Sequence, residues 1–376
     1  MKYKITEVSS DTNIGGAGKC LLTLLENFDR GRFEVDVILP EGSLLKPEIE
    51  RLGITVREVS GMADKSLDIG AIKELRRIIK NSGCDIVHTH GSMSARIAAR
   101  HAGAKVVYTR HSVFPQPKYL TSFPGKQING IFNNYYADGI IAVAEAAKDN
   151  LIETGVDPSK IRVILNGVDG LPYYDSNEKQ SARKRFGIPD AAKVISIVAR
   201  LEDIKGHKYF IEAAELLLRA GVSAKFVIAG TGSYEDELKK KVKELGREDD
   251  IIFTGFISDV DRLMSITDIQ VNASYGTEAT SLALLEGMSI GVPAVVSDFG
   301  GNPGVIKDGE NGFVVAKQNS AAIMMAIKKL LEDEELYRRM SERSREIFAN
   351  TFTAEAMTRN TEKLYIDVLE RKRCNG

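Results

Sequence analysis

The sequence predicts an α/β protein built as two Rossmann-like, doubly wound parallel-sheet domains facing a cleft, and three observations carry that reading. The chain's 376 residues suffice for about two domains. Short β-branched runs alternate with longer helical patterns from end to end, the order that yields parallel sheets flanked by helices. This rhythm breaks once, at 166–177, where Asn166-Gly167, Asp169-Gly170 and Pro172 make a turn-rich stretch without apolar periodicity.

In the first half the strand candidates are 3–8, 34–39, 55–59, 85–89, 105–109, 139–143 and 160–165, with helical patterns such as 17–28, 68–81, 92–101 and 144–154 between them. Several strands are apolar throughout, as expected where helices cover both faces. The rhythm restarts with strands at 193–198, 225–229, 251–254, 269–273, 294–297 and 312–315, and ends in a charged helical stretch, 320–371. The domains are therefore placed at 1–166 and 167–352.

Composition bounds the function. A content of 43% hydrophobic and 27% charged residues is that of an ordinary globular chain. No run reaches the ~18 apolar residues that span a bilayer, and the first nine residues read as a strand rather than a signal peptide. Cys20, Cys84 and Cys374 are few, odd in number and far apart, which points away from a disulfide framework or zinc site and toward the cytoplasm. A net charge of −1 argues against nucleic acid as the main partner. Residues 1–165 hold 22 basic and 19 acidic side chains, which is either scatter or a mild preference for an anionic membrane surface or acidic acceptor.

In open α/β sheets, ligands bind beyond the carboxyl ends of strands, so residues just after strands matter most. Gly15-Gly16-Ala17-Gly18-Lys19 follows the first strand and opens a helix, where backbone amides favour an anion. It is neither a Walker A loop, since residue 13 is Asn and Cys20 follows Lys19, nor a dinucleotide fingerprint, since residue 21 is Leu. Arg200 and Lys205 follow the first strand of the second domain, where two cations can neutralise a diphosphate. Tyr275-Gly276-Thr277 leads into a predicted helix over 276–289, with Glu278, Ala279, Thr280 and Ser281 in its first turn and free amides for phosphate oxygens. Glu286 would then lie about 12 Å farther along the axis. That exceeds the ~5–9.5 Å of a glycosidase pair, but suits one carboxylate near a sugar and one on the vicinal hydroxyls of a ribose. Gly230-Thr231-Gly232 and Gly300-Gly301 also end strands; each suits ligand contact or a plain turn.

His90 and His111 each follow a first-domain strand. His88-Thr89-His90 has no third ligand at metal-site spacing, so no metal is expected. Asp259-Val260-Asp261 reads as a helix start rather than a metal motif. The segment 113–132 mixes Lys118 and Lys126 with Tyr119 and Phe123, and reads either as a contact for a lipid-linked acceptor at a membrane or as a cleft-lining loop.

In order over nearly the whole chain, several motifs resemble the retaining GT-B glycosyltransferases of family 4. They are the Gly15-Gly16 loop, Asn166-Gly167-Val168-Asp169, Arg200 with Lys205-Gly206, Gly230-Thr231-Gly232, Phe253-Thr254-Gly255-Phe256, Glu278 with Glu286, and Gly291-Val292-Pro293. The resemblance implies a metal-independent, retaining hexosyltransferase without cofactor, using a nucleoside-diphosphate sugar, UDP by family frequency. Arg200 and Lys205 would hold the diphosphate and Glu286 the ribose. Glu278 would lie near the donor sugar, with Gly230 and the amides of Ala279, Thr280, Ser281 and Leu282 supporting sugar and phosphate. Gly16 would reach the donor phosphates from the first domain, and His111 would lie near the transferring sugar. Gly15, Lys19, His90, Arg110 and His111 are the acceptor-side candidates. The last helix, about 353–371, is expected to pack back on the first domain. One departure is Ala279-Thr280-Ser281-Leu282, where many members carry a glycine and an aromatic, so sugar selectivity is not transferable. The acceptor would be a glycan, a lipid-linked molecule or a small molecule, in cell-envelope or surface-glycan synthesis. A sugar-nucleotide epimerase and a non-catalytic sugar-nucleotide sensor are the competing readings on the same fold.

Overall fold

The computed structural model describes residues 2–62 and 67–371; Cys374 lies outside them. Two compact units emerge, Met1–Gly167 with Ala354–Gly376, and Val168–Thr353.

The first unit is a seven-stranded parallel sheet: β1 (Tyr3–Ser9), β2 (Phe33–Pro40), β3 (Val56–Val59), β4 (Ile86–His90), β5 (Lys105–Arg110), β6 (Gly139–Ala142) and β7 (Ile161–Val163), in spatial order β3-β2-β1-β4-β5-β6-β7. The second is a six-stranded parallel sheet: β8 (Lys193–Val198), β9 (Ala224–Ala229), β10 (Ile251–Gly255), β11 (Ile269–Asn272), β12 (Ala294–Ser297) and β13 (Gly312–Val315), in order β10-β9-β8-β11-β12-β13. Helices cover both faces, which is why these strands are apolar. In β8, Ile195 and Ile197 join Phe210 and Phe226 in one core cluster, while Val194 joins Leu263 and Ile266 in another. Period-two alternation serves two buried faces at once.

Strand order reverses between β1 and β4 in the first unit and between β8 and β11 in the second. The crevice at such a reversal is where these sheets bind ligands. Each unit thus presents one site by topology alone. In the first it is flanked by the loop after β1, with Gly15 and Gly16, and by the end of β4, with His90. In the second it is flanked by the loop after β8, with Arg200, and by the segment after β11, with Glu278.

Two expectations need correction. The segment 113–132 is not a plain loop, because Lys118–Thr121 and Gly125–Tyr135 are helical. Its Pro, Gly and Asn content hides the second helix, which tertiary contacts hold. Gly130 sits so close to the Gly155 carbonyl that a Cβ would lie 2.2 Å away, and Asn129 donates to the Thr154 carbonyl at 2.7 Å. The predicted helix over 276–289 starts late: it spans Leu282–Ser289 with Ser281 at its N-cap. Glu278, Ala279 and Thr280 therefore lie on an irregular segment, and the axial spacing between Glu278 and Glu286 does not apply. Glu278 is held out of the helix by the bonds described next.

Candidate functional site

In the second unit, backbone hydrogen bonds stitch the post-strand loops into one edge. Leu201 N–H donates to Thr231 O (2.9 Å), Tyr275 N–H to Ile204 O (2.9 Å) and Gly301 N–H to Glu278 O (3.1 Å). Gly230, at φ +137°, allows this approach, since a Cβ there would lie 2.1 Å from the Ala199 carbonyl oxygen. Its glycine is thus explained by loop packing before any ligand is considered. Gly15 and Gly16 differ: a Cβ on either would meet nothing within 4 Å. They cap and open the helix Gly16–Asn27, leaving backbone open to a ligand.

Lys205 and Glu278 form the centre of the second unit's edge. Lys205 Nζ lies 3.0 Å from Glu278 Oε2 and donates to Thr277 O at 2.9 Å. The side chains are only 12% and 9% exposed. Asn272 Nδ2 and Ser274 Oγ donate to the same carboxylate at 3.2 and 3.1 Å. Arg200, by contrast, is exposed, and its guanidinium makes no hydrogen bond or ion pair among the described residues. The two cations paired in the sequence reading therefore differ in state, Lys205 already neutralised and Arg200 open. Beneath them His207 is buried with neither ring nitrogen hydrogen-bonded; burial and the Lys205 charge push it down to about 4. Ala279 is buried, Thr280, Ser281 and Leu282 are partly so, and Glu286 is half-buried on the helix that Ser281 caps. Asp259 sits at the N-cap of Val260–Ser265 and pairs with Arg185.

In the first unit, His111 immediately follows β5 and stands against His90. Their Nε2 and Nδ1 are 2.8 Å apart and their rings stacked. His90 is buried and bonds Glu7 Oε2 through Nε2 at 2.9 Å, so it can act on a ligand only through His111. Arg110 is occupied on its own loop, donating to Ser112 O and lying over the Phe114 ring. Lys19 is exposed. Sequence reasoning missed Glu7, wholly buried in β1. The available signal was a carboxylate inside an otherwise apolar strand that pairs in register with His88. Glu7, His88 and His90 offer ligand atoms within 4.8 Å of one another, as a metal site would. Each of them already takes part in hydrogen bonds, so the group's contacts are accounted for within the chain.

Comparison with known proteins gives this arrangement a family. Residues 14–170 match the model described as Glycosyltransferase Family 4, and residues 178–347 that of Glycosyl transferases group 1. EpsD of Bacillus subtilis, which carries a glycosyltransferase designation, is 30% identical over 77% of this chain and 79% of its own. N-acetyl-alpha-D-glucosaminyl L-malate synthase of Bacillus anthracis is 27% identical over 98% of each chain. The structure of Anabaena Alr3699/HepE in complex with UDP and glucose matches with a TM-score of 0.84 at 21% identity, covering 96% of this chain and 99% of that one; the likeness is one of fold. The chain belongs to family 4 of the GT-B glycosyltransferases.

Proposed function

We propose that this glycosyltransferase moves a hexosyl group from a UDP-sugar to an acceptor hydroxyl with retention of configuration and without a metal ion. The observation that carries the reading is the open Arg200 guanidinium on the loop after β8, beside the reversal of strand order. A cation left unpaired there suits a diphosphate. Uridine as the donor's nucleoside is supported by the fold neighbour solved with UDP and glucose. Arg200 and Lys205 stabilise charge on the leaving diphosphate as the anomeric C–O bond breaks, which is why no metal is invoked. The acceptor oxygen attacks from the leaving-group face and its proton passes to the departing phosphate. Glu278 lies near the donor sugar, with Gly230 and the 279–282 amides at sugar and phosphate. Glu286 takes the ribose. Gly15, Gly16, Lys19, Arg110 and His111 belong to the first unit's side of the reaction.

The acceptor class we propose is a surface glycan or glycolipid, reached by peripheral contact with the cytoplasmic face of a membrane. Phe123 and Ile131 are 82% and 72% exposed, Lys118 and Lys126 accompany them, and no acidic residue occurs between Arg110 and Asp138. Among the described residues no helix is long and apolar enough to cross a membrane. A thermal-shift screen of nucleotide sugars is expected to single out UDP-sugars, because a bound donor raises the unfolding midpoint by mass action. UDP release that requires an acceptor then supports transfer. Interconversion of the donor without acceptor would mark an epimerase, and binding without turnover a sensor. Sedimentation with anionic vesicles tests the membrane contact, and no greater binding than to neutral vesicles would refute it.

A further inference from the structure

Neighbouring strands β1, β4 and β5 place Glu7, His88, His90, Thr109 and the residue after β5, His111, in one hydrogen-bonded group. Ser9 pairs with His90, and His90 with Thr109. From the helix Ala354–Glu370, Tyr365 Oη donates to Glu7 Oε1 at 2.8 Å. His88 bridges Glu7 Oε2 at 3.1 Å through Nδ1 and Thr109 Oγ1 at 2.6 Å through Nε2.

The protons in this chain can be assigned in order. Burial pushes the Glu7 carboxyl up, but the electrostatic pull of His88 and the hydrogen bonds of His88 and His90 outweigh it and hold the group well below the usual range. Glu7 is thus an ionised, pure acceptor. Burial pushes His90 and His111 down, so both rings are neutral at neutral pH. His90 must carry its proton on Nε2 to donate to Glu7, which leaves its Nδ1 bare. His111 must then donate from Nε2 to that bare nitrogen. Its own Nδ1 is left without a proton and has no hydrogen-bond partner among the described residues. Nor is it one of the buried, unpartnered atoms, so solvent reaches it.

We propose that Glu7 and His90 are positioning residues that lock His111 in the Nε2–H tautomer, so that it meets the substrates with a bare Nδ1, an acceptor for one sugar hydroxyl. Such a nitrogen accepts from a hydroxyl and is mismatched to a carboxylate, which also only accepts. The inference rests on the reading of His111 as a sugar contact. Nitrogen-15 NMR of the histidine-labelled chain, with His111 assigned by the resonance lost in His111→Gln, reads the tautomer without any activity. The expected spectrum at neutral pH has a protonated Nε2 and a pyridine-type Nδ1. A proton on Nδ1, or a cationic ring, would overturn the proposal, and this wild-type measurement needs no variant to fold. His90→Phe keeps a ring but cuts the chain. It is expected to give averaged tautomers at His111 and to lower kcat about tenfold, the worth of one hydrogen bond, with UDP affinity unchanged. A single Nε2–H tautomer with full kcat in that variant would also overturn it. A wild-type kcat in His111→Ala, with the tautomer as assigned, would instead refute the placement of His111 at the sugar.

Discussion

Replacing Lys205 by methionine separates what the Lys205–Glu278 pair does for the fold from what it does for the donor. The substitution keeps the chain length and removes the charge, leaving the Glu278 carboxyl nearly buried and held only by Asn272 and Ser274. Breaking a buried pair from one side costs about 3–5 kcal/mol. The two remaining donors offset part of that, so roughly 3 kcal/mol is expected from urea unfolding. Adding Glu278→Gln removes the stranded charge and should restore about 2 kcal/mol. Arg200→Ala, at an exposed and unpaired position, should change stability by no more than about 0.5 kcal/mol. Calorimetric titration with UDP reverses the order. Arg200→Ala is expected to lose one charge-assisted bond, about 1.5–3 kcal/mol, or roughly ten- to a hundredfold in affinity. Turnover should fall by about two to three orders of magnitude in Arg200→Ala, in Lys205→Met and in the stability-restored double variant. Full stability in Lys205→Met would refute the structural half of this reasoning. Undiminished UDP affinity in Arg200→Ala would refute the donor half.

Three further outcomes are expected. His207 is protonated in the unfolded chain near its ordinary 6.5 but in the folded one only near about 4. Stability should therefore be full above pH 6.5 and fall as pH drops toward 4, by roughly 3 kcal/mol. His207→Leu should flatten that slope in denaturation measured across the window, and an unchanged slope would exclude His207 as its source. Gly230→Ala forces a Cβ against the Ala199 carbonyl at positive φ and should lower stability by roughly 3 kcal/mol; an unaltered unfolding midpoint would contradict it. If Glu286 holds the ribose, wild type should bind 2′-deoxy-UDP about tenfold more weakly than UDP, while Glu286→Ala should not distinguish them in calorimetry.

The strands were legible because buried parallel strands are written as continuous apolar runs, as in β8 and β12, and loops at their ends could be located from there. Arg200, Lys205 and Glu278 were placed on such segments this way, after β8 and β11. The start of the helix Leu282–Ser289 was not, because side-chain bonds from Lys205, Asn272 and Ser274 hold Glu278 in an irregular segment that local propensity cannot foresee. The helix Gly125–Tyr135 escaped for a similar reason, its weak helix formers being fixed by contacts with Thr154 and Gly155.

By itself, then, the sequence determined the two wound sheets, the motif order and the cations at the second unit's strand ends, since each depends on local pattern and spacing. Only the tertiary structure decided which of those cations is neutralised, and that Glu7, His88, His90, His111 and Tyr365 form one chain of hydrogen bonds. Tyr365 and His88 are 277 positions apart. Their meeting follows from strand register and helix packing, which no window of sequence contains.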